Sequence, residues 1–173
     1  TTSDSMMMTQ HQIDAATKAE AAFKRAVELA PGQPEPCIAL ANFYIATGRH
    51  AKAESMLSGA IKADPRNIIL NRALAAAYVR SGQLRKAEAP LKLIVDQTKA
   101  PAAMIALADY YRISRRYDDA MHVLEAAASV NAEAFVASTT RKSAILRGQG
   151  RSTEAYAALD QALTRQPRDV MAS

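Results

Sequence analysis

At 173 residues the chain is long enough to bury a sizeable core, and 49% of it is hydrophobic, but alanine supplies much of that share and aromatics only 5%. With 6 Gly and 7 Pro it lacks the breakers of an array of short strands, and the mix favours helices packed through small side chains. The formal charge of +5 comes from 22 Lys and Arg against 17 Asp and Glu, spread without a basic run of five or six, so charge gives little support to nucleic-acid binding.

Residues 1–12 are polar apart from Met6, Met7 and Met8, a run too short for a signal-peptide core, and are expected to form a disordered or poorly ordered leader. Helices are expected over 13–29 and 35–47. The second carries Cys37, Leu40, Ala41 and Tyr44 at spacings of three and four, a single apolar stripe. Thr47-Gly48-Arg49 breaks that pattern, with Gly48 free to adopt the left-handed conformation that ends a helix. Ala53, Met56, Leu57, Ala60 and Ile61 then form the stripe of a third helix, 51–63, closed by Asp64-Pro65 because proline cannot continue it. Further helices are expected over 68–81, 84–97, 101–114, 117–129, 133–148 and 152–165. Pro90 falls inside one of them and is expected to bend it.

These elements repeat. Tyr44 recurs as Tyr78, Tyr111 and Leu146, and Ala53 as Ala87, Ala120 and Ala155, at steps of 34, 33 and 35. Leu57, Leu91, Leu124 and Leu159 keep the same steps, Leu40 and Ala41 recur as Leu74-Ala75 and Leu107-Ala108, and Gly48 recurs as Gly82. Stepping back from the first unit, Ala19, Phe23, Ala26 and Pro31 mark a leading half-unit. A two-helix unit cannot bury its stripes unaided, so neighbours must stack, and a small rotation per unit winds the stack into a superhelix with a concave inner face. The expected fold class is therefore all-α: a right-handed superhelical solenoid of antiparallel helix pairs, with about four repeats and a leading half-repeat.

The columns Leu40-Ala41, Tyr44, Gly48, Ala53, Leu57, Ala60 and Pro65 resemble the tetratricopeptide repeat, over roughly residues 13–168. The resemblance implies a protein–protein binding module, and the chain reads as a stretch of a longer, bacterial-type member. Its expected division is a half-repeat at 13–33 and repeats at 34–67, 68–100, 101–135 and 136–168 in one domain. Residues 169–173 are then a tail or the start of a further, truncated repeat. Where the family often has a tryptophan this chain has Cys37, Asn71, Met104 and Thr139, and the last unit has Lys142 and Ser143 in place of Leu-Ala. That helix is therefore expected to be shifted or loosely packed.

No enzymatic constellation is legible. His11, His50 and His122 lack metal-ligand spacing with one another or with Cys37, and His50 and His122 are expected at the surface. Cys37, the one cysteine, excludes an intrachain disulfide and reads as a buried, inert thiol. Gly148-Gln149-Gly150 lacks the strand and lysine of a phosphate loop. Asp118 and Asp119 suit a helix start, where they favour the dipole. Neither a metal nor another cofactor is expected. The column Ile38, Arg72, Ile105 and Thr140 carries no base-reading code, so nucleic acid is not expected as a partner. No apolar stretch nears the ~18 residues of a membrane span, and no targeting segment is legible. Cytoplasmic and periplasmic locations are both compatible with that.

The candidate site is the face of each first helix opposite its core stripe. It comprises Glu35, Ile38, Asn42 and Ile45; then Ile69, Arg72, Val79 and Arg80; then Ile105, Asp109, Arg112 and Ile113; and finally Thr140, Arg141 and Arg147. Five arginines against Glu35 and Asp109 leave it at +3. Such a groove suits a protein or peptide segment with apolar side chains and some acidic groups. The Lys and Asn clamp that some members of the resembled family place on a partner's terminal carboxylate is matched only at Asn42 and is not expected here. The expected function is a non-catalytic interaction scaffold; self-assembly into a homo-oligomer and a substrate-recruiting arm of a larger enzyme are the alternatives.

Overall fold

The computed structural model describes the backbone of residues 2–165 and the side chains of residues 12–164. Its secondary structure is helical throughout, and the reasons lie in the ends of each element. Helix α2 (Pro34–Ala46) and helix α6 (Pro101–Ile113) open with a proline, whose missing N–H would have had no partner there and whose fixed φ suits a first turn. Helix α4 (Ile68–Arg80) and helix α8 (Ala132–Gly148) are capped by asparagine: Leu70 N donates to Asn67 Oδ1 at 3.0 Å and Ala134 N to Asn131 Oδ1 at 2.8 Å. The remaining elements are α1 (Thr2–Leu29), α3 (His50–Ala63), α5 (Leu84–Thr98), α7 (Tyr117–Ala128) and α9 (Ser152–Arg165).

The turn that joins the two helices of a pair is built the same way four times. The backbone N–H groups of Arg49, Gln83, Arg116 and Arg151 reach back to the carbonyls of Tyr44, Tyr78, Tyr111 and Leu146 at 2.7–2.9 Å. This six-to-one bond closes the helix end and needs a left-handed residue just before it. Gly48, Gly82 and Gly150 supply that residue at φ +73°, +74° and +78°. Arg115 fills the same place at φ +59° without being a glycine.

The chain divides into two compact units, Thr1–Gln83 and Leu84–Ser173. In the first, α1 packs on α2, α2 on both α3 and α4, and α3 on α4. Leu40, Ala41, Ala53 and Leu57 are at most 1% exposed at the heart of that stack. In the second, each helix from α5 to α8 packs on the next one, and α6 also meets α8. Its centre is Ala87, Ala120, Leu124 and Ala127. The recurring alanine is thus the point where paired helices come closest. The leucine beside it supplies buried area worth roughly 2 kcal/mol per side chain.

Helix boundaries lie within a residue or two of the sequence expectation, with one large difference. Helix α1 starts at Thr2, so residues 2–12 are helical where a poorly ordered leader was expected. No Gly or Pro occurs before Pro31, and Met and Gln are good helix formers, so nothing stops the helix from growing back toward the terminus. The expected tail at 169–173 lies outside the described residues. Helix α5 runs through Pro90 without interruption, and the proline is buried among its neighbours. The fourth pair keeps its register despite its poor match: Ser143 is buried in the alanine column, and Lys142 reaches out of the leucine column to Glu125 at 3.2 Å.

Candidate partner-binding surface

In the first unit, α2 and α4 lie against each other and present one face. Arg72 and Arg80 stand exposed on α4 with Ala76 between them, and Asn42 is exposed on α2. Arg80 Nη1 donates to Asn42 Oδ1 at 3.4 Å, a long bond. Ile69 is 50% exposed, a large apolar side chain left open beside Arg72. Ile38 and Val79 are half-buried. Ile45 does not belong to this face: at 8% exposure it is core, buried with Leu40, Ala41 and Tyr44 on a helix that packs against α1, α3 and α4.

In the second unit, α6 and α8 carry the corresponding face. Asp109 lies between two cations, accepting from Arg141 Nε at 3.0 Å and standing 3.7 Å from Arg112 Nε. Arg112, Arg147 and Ile113 are exposed and Ile105 is half-buried. Thr140 is exposed, and its hydroxyl donates back to Val136 O at 2.9 Å. Apart from Ile45, the predicted residues are exposed or half-buried, on α2 and α4 in the first unit and on α6 and α8 in the second. The two faces differ in kind: the α2/α4 face has arginines without a carboxylate in reach among the described residues, while the α6/α8 face has its own acid between its arginines.

A second constellation escaped the sequence reading. The hydroxyl of each column tyrosine donates to a glutamate on the preceding helix pair: Tyr44 to Glu20 at 3.0 Å, Tyr78 to Glu54 at 3.3 Å and Tyr111 to Glu88 at 3.0 Å. Arg49 closes the first of these onto Glu20 and lies over the Tyr44 ring; Arg116 does the same with Glu88, at 2.7 Å, over Tyr111. Gln83 stands at the corresponding place after Tyr78. Hydrogen bonds from Arg49, Lys24 and Tyr44 hold the Glu20 carboxyl down at about 2, and those from Lys92, Arg116 and Tyr111 hold Glu88 down at about 2, against 4.5 ordinarily. The spacing of Glu20, Glu54 and Glu88, 34 residues at each step, was the available signal. In the last unit the set is gone: Leu146 replaces the tyrosine and Arg151 turns to Glu154 at 2.7 Å.

Other candidates resolve simply. Cys37 is half-buried, and burial pushes its thiol up, away from the reactive thiolate. His122 is exposed as expected, whereas His50 is half-buried, with a shielded Nδ1 that has no hydrogen-bond partner. The bond from Arg49 N–H back to Tyr44 draws the start of α3 against the end of α2 and takes His50 with it. The His11 side chain lies outside the described residues. Among the described residues no group of His, Cys, Asp or Glu is arranged to hold a metal, and no helix is long and apolar enough to cross a membrane. An open cleft of about 380 Å³ lies between α7, α8 and α9, walled by Leu124, Ala158 and Leu146. It sits on the side of α8 opposite Thr140 and Arg147.

Helix pairs joined by the same turn, with alanine at each close approach, define an all-α solenoid of repeated helix pairs. A family model described as tetratricopeptide repeat matches residues 12–67 and 48–110, more than half of the chain, and the chain belongs to that family. Among solved structures it is similar to a crystal structure of MamA, with 18% identity over 91% of this chain and 92% of that one and a TM-score of 0.67. It is also similar to MamA 41-end from Desulfovibrio magneticus RS-1, with 13% identity, 94% and 93% coverage and a TM-score of 0.68. A third is TTC0263, a thermophilic tetratricopeptide protein of Thermus thermophilus, with 21% identity, 94% and 89% coverage and a TM-score of 0.58. At these identities the likeness concerns the fold. No curated protein matches the sequence. Arrays of this family are typically non-enzymatic scaffolds for protein partners.

Proposed function

We propose that this chain is a non-catalytic scaffold that holds a peptide or protein segment bearing acidic groups against the faces of its first helices, α2 and α4 in one unit and α6 and α8 in the other. On this reading the repeats 34–67, 68–100, 101–135 and 136–168, after the half-repeat 13–33, each supply one first helix to these faces. The observation that carries it is the exposure of Ile69, Arg72, Arg80, Ile113 and Arg112 on those faces, where open apolar side chains and cations stand together. Isolated apolar side chains at a surface are ordinary, but here they alternate with forked cations that match carboxylates in pairs of bonds. A photo-crosslinking residue at Asn42 or Thr140, both exposed, tests it against one at Ser55 or Gln161 on the second helices. Adducts with one defined partner from the first pair of positions and none from the second support the reading. Adducts confined to the second helices sink it.

Self-association is a second reading, favoured by Tyr156 and Leu163 on α9, which are 72% and 69% exposed. Light scattering over a concentration series detects it, and a constant monomer mass removes it.

A further inference from the structure

The α2/α4 face carries more information than a general affinity for acids. Arg72 and Arg80 are eight positions apart on one helix, so at 1.5 Å of rise per residue their Cα atoms are separated by about 12 Å along its axis. Eight residues are about 2.2 turns, so the two side chains start roughly 80° apart around α4 and share one broad face of it. Ala76, exposed midway between them, places only a methyl group there. Asn42 on α2 stands 34 residues before Ala76, at the same place in the preceding unit, and its side-chain carbonyl is already within reach of Arg80. Arg72 is exposed, and among the described residues nothing neutralises it.

An extended chain advances about 3.3 Å per residue and turns alternate side chains to the same side. Residues i and i+4 of an extended peptide are therefore about 13 Å apart and point the same way, with i+2 between them. From this match we infer that the α2/α4 face takes an extended segment of the pattern acidic–x–apolar–x–acidic. The two carboxylates meet Arg72 and Arg80, and the middle apolar side chain settles over Ala76. Asn42 then exchanges its long bond with Arg80 for one to the segment's backbone. The inference rests on the scaffold reading above and narrows it to one unit and one register. The α6/α8 face does not serve the same ligand, because Asp109 stands 3.0 Å from Arg141 Nε and 3.7 Å from Arg112 Nε and repels an incoming carboxylate.

Fluorescence anisotropy on the full chain tests this with three labelled nonapeptides. The first is Gly-Ser-Glu-Ser-Leu-Ser-Glu-Ser-Gly; the second has the same composition with its two Glu adjacent; the third has Lys for both Glu. The spaced-Glu peptide is expected to bind about tenfold tighter than the adjacent-Glu peptide, and the Lys peptide not to bind. Arg72→Glu and Arg80→Glu are each expected to weaken it by about tenfold, while Lys62→Glu, at an exposed cation on α3, changes it by less than about twofold. The double variant Arg72→Glu/Arg80→Glu, with helicity checked by circular dichroism, is expected to reverse the preference toward the Lys peptide. Equal binding of the two acidic peptides overturns the register, and so does an equal loss from Lys62→Glu. If no acidic peptide binds although Asn42 still yields partner adducts, the inference falls and the scaffold reading stands. If the spaced-Glu peptide binds as expected but partner adducts come only from the second helices, the scaffold reading falls instead.

Discussion

Arg115 occupies a place where the other three units have glycine, and at φ +59° its Cβ crowds the following carbonyl. Arg115 is exposed, so its side chain offers little packing in return. Arg115→Gly is expected to raise the unfolding free energy by about 1 kcal/mol, read from urea denaturation. A variant no more stable than the parent contradicts the account of that turn. The glutamates under the column tyrosines make a second residue-scale prediction. Their folded-state carboxyls lie near 2 and their ordinary value is 4.5, so the unfolded chain binds protons first as pH falls. The stability they contribute is complete above about pH 4.5 and is lost progressively as pH drops toward 2. Glu88→Gln is expected to flatten that part of the stability–pH curve, and an unchanged slope counts against the tyrosine–glutamate–arginine set. The sequence reading saw the tyrosine column as apolar core and missed its polar end. Burial at 4–8% exposure is compatible with either, and only the placement of the preceding helices shows which carboxylate the hydroxyl meets.

At the scale of the element, helix ends were legible because each is made by a few residues with a local mechanism: proline at a first position, asparagine caps, glycine at the left-handed turn. The reading failed at the start of α1, which grows back to Thr2 for want of a stop. Crossing points between helices were legible too, since only a small side chain recurs there. Ala120, at 0% exposure on α7, is the sharpest test. Ala120→Leu is expected to cost about 1–3 kcal/mol by forcing α6 and α7 apart, although leucine is nearly as good a helix former. If thermal melting of this variant matches the parent, alanine there is not a packing requirement.

At the scale of the whole molecule, the helices of each compact unit pack on near neighbours in sequence within that unit, which makes stability local. Leu57→Ala, in a side chain 1% exposed within the first unit, is expected to cost about 2–5 kcal/mol. In hydrogen exchange the loss of protection is expected in α2–α4, with α7–α9 retaining theirs. Uniform loss across the chain means that the two compact units unfold as one. The candidate surface shows the limit of sequence reading at this scale. Periodicity placed its residues on the outer sides of the first helices, and of these only Ile45 is buried in the core. It could not tell that Asp109 is held by Arg141 or that Arg72 is left open.

The repeat, its helix pairs and its turns were determined by the sequence by itself, because each depends on side chains within a few residues and on a spacing that recurs along the chain. Which charges are paired and which remain available was decided by the tertiary structure. Ion pairs such as Arg141 with Asp109, at 3.0 Å, and Arg116 with Glu88, at 2.7 Å, join residues from different helix pairs, and such distances exist only once the helices have stacked.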